Sequence, residues 1–239
     1  KDALLCLLTD KIDKEVLSSS NLKIIANYAV GFDNIDIKTA TEKGIIVTNT
    51  PDVLTETVAE HTFALIMASA RRIVEADKFT RQGKYKDWGP MLLLGQDLKG
   101  KTLGIIGLGR IGMAVAQRAV KGMGMKVIYN NIQRNEAFEK DFDAEFADLR
   151  ALLKKSDVIT IHVPLTPETK HMISFKQFKL MKKNAILINT ARGPIVEEKA
   201  LIDALRKNKI AGAALDVFEC EPAITCDLSS AFQLKDLDN

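Results

Sequence analysis

The sequence predicts an α/β protein with a doubly wound parallel sheet, and three observations support this. Short apolar runs alternate with amphipathic stretches along the 239 residues, the pattern of parallel strands joined by right-handed helical crossovers. A glycine turn, Gly107-x-Gly109-x-x-Gly112, lies between one apolar run and a stretch of small residues with helical character. A third stretch, Asp52 to Gln82, contains no Gly or Pro and reads as a helix too long for a routine crossover.

The apolar runs place strands at Leu4–Leu8, Lys23–Tyr28, Ile45–Thr48, Thr102–Ile106, Lys126–Tyr129, Val158–Val163, Ala185–Asn189 and Ala213–Val217. The first is expected to be buried on both faces, as central parallel strands are. Such a strand rarely opens a sheet. No Met precedes it, and Leu234–Asn239 forms a polar run without a closing helix, so both ends are expected to be cut. The long helix is expected over about 57–82, from a capping box at Thr57-Val58-Ala59-Glu60 to a C-terminal glycine at Gly83. At ~1.5 Å per residue it would span roughly 37 Å and carry the chain between domains. Its stripe of Phe63, Leu65, Ile66 and Met67 reads as core. The stretch Gly83–Gly100, with Pro90, reads as an irregular excursion. Two domains follow: a first over residues 1–95, including the long helix, and a second over 96–239.

Composition narrows the function. With 34 Lys+Arg against 31 Asp+Glu the formal charge is +3, too balanced for a nucleic-acid or membrane-surface protein. The chain is 46% hydrophobic and 27% charged, the balance of a folded domain rather than a disordered one. Its three cysteines, Cys6, Cys220 and Cys226, lack metal-site spacing. They argue against a disulfide scaffold and suit a reducing, cytoplasmic setting. No metal site is expected. No apolar run approaches the ~18 residues that span a bilayer.

The glycine turn has the context that gives it meaning. An apolar strand precedes it, a helix follows, and the strand Lys126–Tyr129 closes a unit of about 30 residues. Gly107 permits the tight turn, Gly109 lets a pyrophosphate approach, and Gly112 lets helix and strand pack. The intervening Leu108, Arg110 and Ile111 complete the candidate phosphate loop, whose helix N-terminus offers unpaired N–H groups. This is a Rossmann dinucleotide site; a plain strand–turn–helix crossover is the alternative. The second strand of an NAD site normally ends in an acid that holds the ribose 2′-hydroxyl. Here the run is Asn130-Asn131-Ile132-Gln133-Arg134-Asn135, with no acid before Glu136. Asn131, Gln133 and Arg134 are therefore the ribose-side candidates, and NADP is favoured over NAD. Arg134 as a solvated loop residue is the other reading.

Three further segments carry a resemblance. They are His162-Val163-Pro164-Leu165-Thr166-Pro167-Glu168-Thr169, Asn189-Thr190-Ala191-Arg192-Gly193-Pro194, and Gly212-Ala213-Ala214-Leu215-Asp216-Val217-Phe218-Glu219-Cys220-Glu221-Pro222. With the glycine loop and Ala29-Val30-Gly31-Phe32-Asp33-Asn34-Ile35-Asp36, the chain resembles the D-isomer-specific 2-hydroxyacid dehydrogenases, most of all their glyoxylate/hydroxypyruvate reductase branch. The resemblance implies a Rossmann domain that lacks its C-terminal end and an incomplete flavodoxin-like substrate domain. It implies hydride transfer between NAD(P)H and a small 2-oxo acid.

By that resemblance Arg192 and Glu221 are catalytic. Arg192 also binds substrate, as a planar charged fork suits a 2-oxo acid carboxylate; a turn arginine satisfying carbonyls is the alternative. Glu219 lies two residues from Glu221, but the offset from Asp216 and the following Pro222 favour Glu221. Thr190, Ala191 and Asp216 would meet the cofactor, Asp216 on the nicotinamide side, although it could be a strand-end cap. Pro164 and Thr169 would flank the adenosine, or form an ordinary Pro turn. The backbone N–H groups of Val30 and Gly31 would hold the substrate carboxylate, or be a turn after a strand. Trp88 matches a residue that some reductases present to a partner subunit's site; a core or interface Trp reads equally well. A homodimer is expected.

The family's proton donor is a histidine in a Pro-His motif that pairs with the catalytic Glu, and this sequence contains no such motif. His61, His162 and His171 match other positions, so the 239 residues are expected to be inactive alone. Two other readings remain. A 3-phosphoglycerate dehydrogenase-like enzyme would need extra basic groups near Val30 and Gly31. A non-catalytic dinucleotide-sensing protein of the same fold would bind a partner without turnover.

Overall fold

A computed structural model describes residues 1–221; Pro222, Cys226 and the polar run Leu234–Asn239 lie outside the described residues. β1 (Ala3–Cys6), β2 (Ile24–Asn27) and β3 (Ile46–Thr48) form a parallel sheet in that order. β4 (Thr102–Ile106), β5 (Lys126–Asn130), β6 (Glu145–Phe146), β7 (Val158–Ile161), β8 (Ile186–Asn189) and β9 (Gly212–Leu215) form a second parallel sheet in the order β6-β5-β4-β7-β8-β9. The helices are α1 (Lys14–Ser18), α2 (Ile37–Glu42), α3 (Thr55–Ala70), α4 (Ile73–Arg81), α5 (Arg110–Met123), α6 (Glu136–Phe142), α7 (Leu149–Lys155), α8 (Phe175–Phe178) and α9 (Glu198–Arg206).

The strand order runs outward in both directions from β4 and β7, so a topological switch point lies between them. Ligands of open α/β sheets bind at the carboxyl ends of strands at such a point. The glycine turn at the end of β4 is therefore at the expected crevice. Both faces of this sheet are covered, which is why its strands are continuously apolar. Leu103 and Ile105 pack with Val115, Ala59 and Ile66 on one side. Ile106 packs with Leu152, Ile159 and Leu201 on the other. Burying each such side chain contributes about 1.5–3 kcal/mol. α3 thus belongs, by its packing, to the core of the six-stranded sheet.

Four sequence expectations need correction. First, β1 is not buried on both faces: Leu5 is 74% exposed, and only Cys6 of the strand is fully buried. Second, the helix over 57–82 is two helices. The Ala70 carbonyl, which a continuing helix would offer to Val74, accepts instead from the Gln96 N–H at 2.7 Å. Arg72 then turns left-handed, with φ 54°, and its fork closes on Glu75 at 2.6 and 2.7 Å. Third, the capping box does not form: α3 starts at Thr55 after Leu54, with no side-chain cap. Thr57 and Glu60 lie inside the helix. Fourth, the cysteines are not all free. Cys6 is a buried free thiol, whereas Cys220 is disulfide-bonded.

Strand ends shift by one or two residues, and the short edge strand β6 carries no clear apolar run. Gly83 does lie just past the last helical turn, with φ 66° and its N–H on the Thr80 carbonyl.

Candidate active site

The glycine turn has the geometry of a phosphate cradle. Gly107 has φ 95°, a conformation open to glycine, and a Cβ there would lie 2.8 Å from the His162 carbonyl. A Cβ at Gly112 would lie 2.4 Å from the Gly107 oxygen, so α5 packs directly on the turn. Gly109 differs, because a Cβ there would meet nothing within 4 Å. Gly109 is also the N-cap of α5 without a side-chain hydrogen bond, so the first N–H groups of the helix face open space. These features fit a dinucleotide pyrophosphate. Leu108 is buried in the core and Ile111 packs against it, so only their backbones can serve a ligand. Arg110 reaches across to Asp52, 2.8 Å from its Nε.

Beside Arg134, after β5, lies a carboxylate that spacing did not reveal. Arg134 donates Nε and Nη2 to Glu139 at 2.6–3.1 Å. Glu139 also accepts from the Tyr129 hydroxyl at 2.8 Å. The Arg134 fork holds the Glu139 carboxyl below its ordinary range, and Arg134 is raised in return. Arg134 is thus paired with Glu139 while its side chain stays 57% exposed. Asn131 donates to the Gln133 carbonyl at 3.0 Å and brings no charge.

The ends of β7, β8 and β9 carry the other candidates. Thr169 Oγ1 donates to the Pro164 carbonyl at 2.7 Å and accepts from the Thr166 N–H at 2.8 Å. Pro164 and Thr169 thus form a closed turn. After β8, the buried Asn189 organises the loop. Its Oδ1 accepts from the Ala191 N–H at 3.1 Å, and its Nδ2 donates to the Arg192 carbonyl at 2.9 Å. That buckle directs the Arg192 side chain toward the three-stranded sheet. Its Nε donates to Asp33 at 3.0 Å and its Nη1 to the Ala191 carbonyl at 2.8 Å. Its Nη2 lies 1.8 Å from where a Gly31 Cβ would be. Arg192 and Gly31, 161 residues apart by number, are in direct contact.

Thr190 meets Thr62 of α3 through their hydroxyls at 2.9 Å. Asp216 lies 3.2 Å from His61 Nε2, which sets His61 of α3 beside the end of β9. Glu219 turns inward, bonding His171 and the Glu198 N–H at 2.9 Å. Glu221 is exposed, and its Oε1 accepts from the Phe218 N–H at 2.6 Å. Glu219 is thus held by His171 and the Glu198 N–H, whereas Glu221 meets only the Phe218 N–H among the described residues.

His162 contacts Thr160 at 3.0 Å, and desolvation of its ring lowers its pKa to about 4. Below pH ~6.5 an unfolded chain would bind a proton that native His162 does not. This residue therefore removes stability as pH falls from 6.5 toward 4.

Sequence reasoning missed Asp33, Asn189, Glu139 and the placement of His61. Asp33 lay inside a quoted motif, so the signal was present; Glu139 gave none. Trp88 is exposed, as are Met91 and Leu94. Among the described residues no cluster of His, Cys, Asp or Glu could hold a metal. No helix among them is long and apolar enough to cross a membrane. A cavity of about 540 Å³ lined by Leu65, Leu94, Ile186 and Ala213 lies at the opposite ends of β8 and β9, away from Arg192.

Residues 63–235 match the family described as D-isomer specific 2-hydroxyacid dehydrogenase, NAD binding domain. The chain belongs to this family. It is an NAD(P)-dependent D-2-hydroxyacid dehydrogenase. A glyoxylate reductase of Thermococcus litoralis is 57% identical over 241 residues, 99% of this chain and 72% of that protein. One from Korarchaeum cryptofilum is 57% identical over 223 residues, 92% and 67%. Among solved structures, a D-lactate dehydrogenase of Aquifex aeolicus complexed with NAD and lactic acid superposes with TM-score 0.91 at 36% identity. It covers all of this chain, which spans 74% of it.

Proposed function

We propose that this chain serves the reduction of a small 2-oxo acid of the glyoxylate or hydroxypyruvate type. Residues 1–95 would supply the substrate loop and residues 96–239 the dinucleotide site. The observation that carries the reading is Arg192: fixed at the end of β8, it lies against Gly31, and among the described residues Nη2 has no hydrogen-bond partner. A 2-oxo acid placed there would set its carboxylate against the loop N–H groups and its carbonyl against the guanidinium. The bound reduced nicotinamide supplies the hydride to the 2-oxo carbon. Asp216 would face the nicotinamide, and Glu221 would orient the proton donor. Val30 and Gly31 would bind the carboxylate.

The test is NAD(P)H oxidation with glyoxylate, hydroxypyruvate and 3-phosphohydroxypyruvate, using a chain extended beyond Asn239 beside the 239-residue one. The first two are expected to turn over in the extended chain; preference for the phosphorylated acid would overturn this substrate assignment. A phosphorylated substrate is disfavoured because Lys23 is paired with Asp2 at 2.9 Å and the charge beside Arg192 is the acid Asp33.

The nicotinamide dinucleotide is proposed to be NADP at least as readily as NAD. Asn131 supplies no carboxylate against a 2′-phosphate, and Arg134 could exchange Glu139 for one. Competitive titration should give NADPH a dissociation constant no weaker than that of NADH. Asn131→Asp should shift the ratio toward NADH by about 10-fold or more, since like charges would be apposed. Clear NADH preference in the unaltered chain would end this assignment.

A homodimer is proposed through the excursion after α4. Trp88 is 75% and Met91 77% exposed, with Tyr85 and Leu94 beside them in sequence and also exposed. Such a concentration is characteristic of an association surface. Light scattering should report a dimer at micromolar concentration; monomer alone there would count against it.

A further inference from the structure

Three successive carbonyls of the loop after β2 are held by the protein. The Ala29 carbonyl accepts from the Thr50 N–H at 2.9 Å. The Val30 carbonyl accepts from Asn49 Nδ2 at 2.8 Å, and the Gly31 carbonyl from Asn27 Nδ2 at 2.7 Å. Across a trans peptide, the following N–H points opposite to the carbonyl. The N–H groups of Val30, Gly31 and Phe32 are therefore each turned away from a fixed anchor. None of the three donates to another described residue.

The Asn27 anchor is built to one orientation. The residue is 2% exposed. Its Oδ1 accepts from Asn34 Nδ2 at 3.3 Å and from the Cys6 thiol at 3.4 Å. That leaves its Nδ2 for the Gly31 carbonyl, so the amide cannot flip without losing all three contacts. Asn34 is itself tied to the Leu7 and Asp10 carbonyls at 2.9 and 3.1 Å. The loop is thus braced against the end of β1. Arg192 Nη2 lies over Gly31, so cationic charge adjoins these N–H groups.

We propose that Asn27 and Asn49 are positioning residues for the substrate carboxylate. Asn49 presents the Gly31 N–H and Asn27 presents the Phe32 N–H, with the Thr50 backbone doing the same for Val30. This rests on the reading of Gly31 and Arg192 as the substrate end. An asparagine that merely satisfies a loop carbonyl would leave the ligand response of the amide behind it unchanged when it is removed, and that is what separates the two roles.

The test is amide NMR of the 15N-labelled chain titrated with oxalate, a non-reducible anion with a carboxylate on a trigonal carbon. In the unaltered chain the Val30, Gly31 and Phe32 amides are expected to shift together. Asn49→Ala, at an exposed position, should shrink the Gly31 response, spare Phe32, and weaken oxalate about 2- to 10-fold. Asn27→Ser should do the reverse, its melting temperature showing that the fold is kept. Unchanged responses and affinity in Asn49→Ala would overturn the proposal, whatever becomes of Asn27→Ser. Such a result would leave the carboxylate reading standing so long as oxalate still moves the three amides. Oxalate that moves none of the three in the unaltered chain would overturn both.

Discussion

Replacing Arg192 with Gln is expected to lower kcat/KM for glyoxylate by about 10²–10³-fold, the loss typical of one preorganised donor at a developing oxyanion. Dinucleotide affinity should change by no more than about 3-fold, because the glycine turn and the first turn of α5 do not depend on Arg192. The reason lies in how the fork is divided. Nε is held by Asp33 and Nη1 by the Ala191 carbonyl, leaving Nη2 directed at Gly31. Lysine has one point charge and cannot hold Asp33 and reach Gly31 together, so Arg192→Lys should recover little. The side chains of the pair are partly covered, with Arg192 26% and Asp33 28% exposed. Arg192→Gln therefore also leaves Asp33 without its charged partner, and a melting curve should separate that cost from the kinetic one. The ratio of variant to unaltered rate should be the same in the 239-residue and extended chains. An Arg192→Gln protein with glyoxylate kinetics like the parent's would remove Arg192 from the chemistry.

Much of this site was legible because its signals are local. The strand before Gly107 is apolar, the glycines have fixed spacing, and the turn after Asn189 places Arg192 at a strand end. Periodicity also located eight of the strands, since a sheet covered on both faces needs continuous apolar runs. What was illegible is non-local. No residue between Ala70 and Ile73 announces the helix break, which arises because Gln96 takes the Ala70 carbonyl. Glu139 reaches Arg134 from the next helix, so a search of the strand end alone found no acid. The exposure of Leu5 could not be read from its apolar neighbours, because composition says that a face is apolar but not what covers it. Asp33 and Asn27 stand in plain view within or beside a quoted motif. Their roles depend on Arg192 and on the curl of the loop, and no one-dimensional spacing reports either.

Turnover by the 239 residues alone is expected to be about 10²–10⁴-fold slower than by a chain extended beyond Asn239, the contribution typical of a positioned general acid. The resemblance assigns the proton to a histidine of a Pro-His motif, and none is present here. Two of the three histidines that are present are engaged elsewhere. His171 is bound to Glu219. His162 is held neutral at pH 7 by burial, with a pKa of about 4, so it has no proton to give. His61 is the serious competitor, since its Nε2 lies 3.2 Å from Asp216, the carboxylate proposed to face the nicotinamide. Reduced-dinucleotide binding should be equal in the two chains, because the glycine turn is common to both. Steady-state rates with glyoxylate on the two chains and on their His61→Gln forms decide the matter. If the 239-residue chain matches the extended one and loses its activity with His61→Gln, then His61 and Asp216 supply the proton and Glu221 is not the residue that orients the donor. If only the extended chain turns over, and His61→Gln leaves its rate within about 3-fold, the proton comes from beyond Asn239 and Glu221 keeps its assigned part.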